Sequence, residues 1–278
     1  MLPPVPTKDP AAVAGAVQSI YTGLFPDGDR MFISRIFSWA VDCFTGQFPG
    51  YLPIDARYHD FEHTLQGTLC MTRLLHARGL AHAQPLLPRR TFELGILAIL
   101  FHDTGYLKRS DDKDGTGAKY TVTHVRRSAD FAHEFLSGRA VDPREIKAVQ
   151  NMILCTGFNA RLDAIPFQDP AERIAGFALG TADLLGQMAA PDYVDKLPML
   201  FLEFQEAARF SDDKSHPVSM FKTVDELRRQ TPTFWQSHVR SKLEKDFAGL
   251  YRFLADPYPD GPNEYVDRVE QNVRRIQP

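Results

Sequence analysis

Asp142-Pro143-Arg144-Glu145 and Asp169-Pro170-Ala171-Glu172 open two segments with the same chemistry. In each, a carboxylate stands where a helix needs a capping acceptor. A proline fills the first helical position, where its missing N–H is not required, and a Glu follows in the positively polarised first turn. Behind them apolar residues recur at helical spacing through Ile146–Thr156, ending at Gly157, and through Ile174 to about Met188. The same period predicts helices over Ala11–Phe25, Arg30–Phe44, Asp60–Arg78, Thr91–His102, Thr123–Leu136, Tyr193–Phe210, Phe234–Leu254 and Glu264–Ile276. Strand-like alternation of β-branched residues is scarce, and no Asn-Gly hairpin signal occurs. The expected fold is all-α, with one domain spanning 1–278, a core over about 30–210 and C-terminal helices 211–278 packed on it.

The bulk composition removes several classes of function. A formal charge of −3, from 32 basic and 35 acidic side chains without a long basic run, gives no reason to expect a nucleic-acid polymer as partner. No apolar run approaches the roughly 18 residues that cross a bilayer, so no membrane partner is expected. The start, Met1-Leu-Pro-Pro-Val-Pro6, lacks the basic and apolar blocks of a signal peptide. Cys43, Cys70 and Cys155 are odd in number and widely spaced, which reads as free thiols in a reducing, cytoplasmic setting. Nothing in the sequence bears on the oligomeric state.

Three segments offer metal-ligand side chains in apolar surroundings. Six apolar residues, Ile96 to Phe101, lead into His102-Asp103, and Thr104-Gly105 then ends the helix. A carboxylate carried into the interior this way needs a cation or strong donors. In Tyr58-His59-Asp60-Phe61-Glu62-His63, Asp60 opens a helix, so His59 and His63 can reach one pocket. Asp183 lies in mid-helix among Ala182, Leu184 and Leu185. Imidazole nitrogens with carboxylate oxygens suit a divalent transition metal or magnesium, not a closed thiolate site. The loop from Lys108 to Lys119 follows the His-Asp pair. Read as a calcium loop it would put Thr121 where the bidentate Glu belongs, so a mobile charged flap is the expectation.

The order His63, His102-Asp103, Asp183 resembles the HD-domain metal-dependent phosphohydrolase superfamily. Within it the chain is most similar to the catalytic domain of class I cyclic-nucleotide phosphodiesterases. The family's Tyr-His-Asn-x-x-His matches Tyr58–His63 with Asp60 in place of Asn, and its Ile-His-Asp element matches Leu100-Phe-His-Asp103. Its Met-Val-Leu-Ala-Thr-Asp helix is similar to Met152-Ile-Leu-Cys-Thr-Gly157, and its Ala-Asp-Leu motif matches Ala182-Asp183-Leu184. A Glu-Phe-x-x-Gln-Gly-like element is echoed at Phe201-Leu-Glu-Phe-Gln205. The likeness runs over roughly residues 55 to 210.

The resemblance implies hydrolysis of a phosphodiester of a (cyclic) nucleotide, or of a related small phosphoester, by metal-activated water. It implies one or two divalent ions (Mg, Mn, Zn or Fe) held by His63, His102, Asp103 and Asp183, with Asp103 bridging. His59 would be the general acid. His124 falls where other HD proteins place a ligand to a second ion, and its other reading is a histidine in the first turn of an amphipathic helix. Gly105-Tyr106 stands where the family has Asp-His, and Gly157 stands where it has an acid. Lys108 and Arg109 are candidates to attract phosphate. Gln236, between Trp235 and Ser237, is the candidate for the family's purine-binding glutamine, although the residues after it do not reproduce the clamp. Alternatives within the resemblance are a degenerate nucleotide-binding regulator and a di-iron oxygenase. His133, His76, His82 and His216 carry no role.

Overall fold

The computed structural model describes residues 4–157, 159–211 and 221–276. Among these, ten α-helices and several short helical turns make up the protein, and its only β pairing is two isolated bridges, Tyr51 with Arg109 and Ala255 with Asn263. The all-α expectation is met. The helices are α1 (Pro10–Leu24), α2 (Phe32–Phe44), α3 (Phe61–Leu80), α4 (Arg89–Phe101), α5 (His124–Ser137), α6 (Pro143–Ile153), α7 (Pro170–Met188), α8 (Tyr193–Phe210), α9 (Val224–Thr233) and α10 (Glu264–Ile276). One buried core runs from Val13 on α1 to Val273 on α10. Cys43, Cys70 and Cys155 are buried free thiols within it or beside it. None of the described helices is long and apolar enough to cross a membrane.

The capping signals act as chemistry requires. Asp142 accepts from the N–H of Arg144, Asp169 from that of Glu172, and Asp60 from that of His63 at 2.9 Å. Asp60 therefore does the work an Asn would do at the head of α3, since either side chain supplies the acceptor.

Helices α3 and α7 form the central pair and cross almost backbone to backbone. A Cβ on Gly186 would come within 2.8 Å of the Gly67 nitrogen, and one on Gly67 would meet Ile99 at 3.3 Å. Helix α4 lies against α3, α6 and α7. Its apolar run from Phe92 to Phe101 is fully interior. Phe101 at its end packs on Phe131 and Phe135 of α5, with ring centroids 6.0 and 5.0 Å away. That cluster fixes the point at which the chain delivers His102 and Asp103.

The C-terminal region departs from expectation. Instead of one helix over Phe234–Leu254, α9 starts at a Thr223 cap that accepts from the N–H of Glu226. It continues as wide π turns over Phe234–Val239 and Lys242–Asp246. Pro232 inside α9 supplies no N–H, and one missing rung favours such widening. Left-handed residues Ala248 and Gly249 then end the run before a short 3₁₀ turn, Leu250–Leu254.

The α3–α7 crossing leaves no space for a methyl group at position 186. Gly186→Ala should cost about 1–3 kcal/mol in urea unfolding, the usual range for overpacking. Gly15→Ala, on exposed α1 with nothing near its Cβ position, should instead stabilise by about 0.5–1 kcal/mol.

Candidate metal centre

Three segments meet at one point. His63 comes from the first turn of α3, His102 and Asp103 from the end of α4, and Asp183 from the middle of α7. His63 Nε2 lies 3.2 Å from Asp103 Oδ2 and 3.2 Å from Asp183 Oδ1. His102 Nε2 lies 3.3 Å and 3.4 Å from the same two oxygens. One ligand atom from each of His63, His102 and Asp103 falls within a single 4.8 Å group, and Asp183 Oδ1 approaches both imidazoles from outside it. His102 turns its Nδ1 to the carbonyl of Ile99 at 2.7 Å, which leaves Nε2 for the centre.

These residues fit a divalent cation. His102 Nε2 and Asp103 Oδ2 are buried without a hydrogen-bond partner, because their mutual approach is not aligned for one. Neighbouring ligands around an ion with bonds of roughly 2.1 Å stand about 3.0 Å apart in an octahedron and about 3.4 Å apart in a tetrahedron. The observed spacings, 3.2 to 3.4 Å, lie between these. Two carboxylates supply the charge that a divalent ion balances, and two imidazoles select against calcium-type all-oxygen coordination.

The local electrostatics describe the same need. Burial opposes charge on all four groups. The Asp103 and Asp183 carboxylates nevertheless raise the His63 imidazole to about 10 and lift His102 above its ordinary value. In return the two imidazoles hold both carboxyls well below the usual range, against the opposing pull of burial. Protons thus occupy the position of positive charge, and a divalent ion would take their place.

The second oxygen of Asp103 faces elsewhere. Its Oδ1 lies 3.8 Å from His124 Nε2, while His124 Nδ1 turns to the carbonyl of Thr121 at 2.6 Å. His124 therefore sits beside the four-donor set without joining it, and burial pushes its imidazole down. Gly105 explains how His124 gets there. A Cβ at that position would collide with the His124 carbonyl, so only glycine lets the start of α5 come this close. Ser128 Oγ accepts from the Gly105 N–H at 2.8 Å, and Arg127 Nε donates to its carbonyl at 2.8 Å. Tyr106 stacks between His59 (4.6 Å) and His124 (4.7 Å), with its buried hydroxyl making no hydrogen bond.

His59 is oriented by a residue the sequence reading gave no role. Glu203 of α8 lies with Oε2 2.6 Å from His59 Nδ1, and its Oε1 accepts from the Tyr58 N–H at 2.7 Å. The carboxylate fixes the tautomer and leaves Nε2 as the nitrogen available for proton transfer. A signal for Glu203 was present, because it falls on the buried stripe formed by Leu197, Leu200 and Ala207 at helical spacing. Gln187, four residues after Asp183, donates to the Asp183 carbonyl at 3.0 Å and accepts from Tyr58 Oη at 2.8 Å.

Asp103, Asp183, His59, Tyr106 and His124 open onto a cavity of about 1040 Å³, with His63 and His102 behind them. The three candidates for substrate contact stand elsewhere. Lys108 is buried, donating to the Gly115 carbonyl at 2.5 Å and pairing with Asp55 at 3.3 Å. Arg109 lies over the Tyr51 ring and pairs with Glu134 at 2.8 Å. The loop they begin is strapped to the body rather than standing free as a flap: Thr116 bonds Glu206 of α8 and Gly117 bonds Asp55, while Lys119 pairs with Asp112 within the loop. Gln236 is exposed and bonds Arg240, while Ser237 and His238 beside it line the cavity. The widened turn rotates position 236 outward. His133 is exposed, and His216 lies outside the described residues.

The molecule is thus an all-helical protein with a buried histidine–aspartate cluster on one wall of a large cavity. It belongs to the Npun_R2479-like family, whose profile it matches over residues 33–252, a span that includes every site residue named above. No match was found among curated proteins.

The oxygen shared by both imidazoles is the place to test the fit to a divalent ion. Asp103→Ala should retain no divalent metal after dialysis, measured by elemental analysis, whereas Glu203→Gln, which bonds His59 and Tyr58 and none of the four residues, should load normally.

Proposed function

We propose that this protein is a metal-dependent hydrolase of small phosphoesters. The observation that carries the reading is the convergence of His63, His102, Asp103 and Asp183 on one buried point whose carboxylates face a cavity. The resemblance of these same segments to the HD-domain phosphohydrolases agrees with it. The three buried free thiols favour a reducing compartment, and we assign the protein to the cytoplasm.

A divalent ion held by these four residues would supply Lewis acidity, polarising a phosphoryl oxygen and acidifying water. The chain's own groups do the rest. The water oxygen becomes a fourth oxygen on phosphorus as the bond to the ester oxygen breaks. The leaving oxygen takes a proton from His59 Nε2, and the proton released by water restores the site. Glu203 keeps the ring in one orientation through this exchange, and Tyr106 packs against its face. Asp103 and Asp183 carry the charge that keeps the cation in place.

With a phosphodiester of an unactivated alcohol, whose leaving alkoxide needs a proton, and the metal-loaded protein, His59→Ala should keep the ion and lose about 10²–10⁴ in kcat. An unchanged rate in that variant would remove His59 from the mechanism. Oxygen consumption without phosphate release, or ligand binding without turnover, would overturn the hydrolase reading itself.

A further inference from the structure

We infer that the alcohol carried by the phosphoester is apolar, of long-chain or ring type, and not a nucleoside. This rests on the hydrolase reading above and concerns the rest of the same cavity. At about 1040 Å³ the cavity is at the upper end of the range for small-molecule sites, far more than a phosphoryl group occupies. Beyond the metal-ligand residues its apolar wall includes Leu184 and Met188 of α7, Leu197, Leu200 and Phe204 of α8, and Leu227 of α9.

Most hydroxyls on the cavity walls are already committed, and the side-chain amides of Asn159 and Gln230 line it at exposed positions. Thr121, Thr156, Thr231 and Ser237 each donate their hydroxyl to a backbone carbonyl of their own or the preceding turn. Gln187 is held by Tyr58 and Asp183. Among the described residues the lining cations are Arg126 and Arg161, both exposed, with Arg161 4.0 Å from Asp163. A nucleoside would bring base edges and ribose hydroxyls to walls with few free donors, and each one left unpaired would weaken binding ~5- to 150-fold. A hydrocarbon meets no such penalty and releases water from apolar surface.

The test uses the intact, metal-loaded protein and N-phenyl-1-naphthylamine as a fluorescent occupant of the cavity. Non-hydrolysable alkylphosphonates of four, eight and twelve carbons should displace it with affinity rising about fourfold per methylene until the cavity is filled. AMP and cyclic AMP should displace it at least a hundredfold less well than the twelve-carbon compound. Leu200→Lys should weaken the twelve-carbon compound at least tenfold while leaving metal content unchanged. If that variant fails to fold, the chain-length series on the unaltered protein decides alone. Affinity independent of chain length, or preferred displacement by nucleotides, overturns the inference. Phosphate release from alkyl phosphates separates the two readings. Chain-length-dependent binding without release would remove the hydrolase reading and leave the ligand class supported. Release from nucleotides with no chain-length effect would do the reverse.

Discussion

The near contact of two helix backbones at Gly67 and Gly186 sets the position of everything functional in this protein. Helix α3 carries His63 one turn before the crossing, and α7 carries Asp183 just before its own glycine. Because no side chain separates the two helices there, His63 Nε2 and Asp183 Oδ1 come to 3.2 Å. The end of α4 then needs only to arrive at the same level, and its interior run together with the Phe101–Phe131–Phe135 cluster brings it there. Gly105 repeats the device on a smaller scale, admitting the start of α5 beside Asp103.

Much of this could be read from the chain because the relevant signals are local. Capping carboxylates, prolines in first turns and an apolar run ending in His-Asp depend on neighbours within a few residues. They located α3, α4, α6 and α7 closely, and with them the four residues that meet at the centre. Asp60 belongs to the same class, since its capping role needs only the N–H of His63.

What was not legible depends on where the chain goes next. Lys108 and Arg109 follow the His-Asp pair in sequence, yet the chain turns so that one is buried against Asp55 and the other lies on Tyr51. Nearness along the sequence says nothing about that turn. Glu203 lies 144 positions from His59 and meets it only through the packing of α8, so no short motif could join them. Gln236 missed the cavity because Pro232 changes the helical period just upstream, and a small change in turns per residue is enough to exchange inward and outward faces.

Helices locked at a glycine crossing cannot easily spread. Imidazole–carboxylate spacings of 3.2–3.4 Å on three such elements would suit an ion with bonds near 2.1 Å and would strain around a larger one. Calcium, with bonds of about 2.3–2.6 Å, would have to force α3 and α7 apart, whereas ions with bonds near 2.1 Å would not. The bulk of two missing side chains would then bear on which ion fits as much as the chemistry of the donors does.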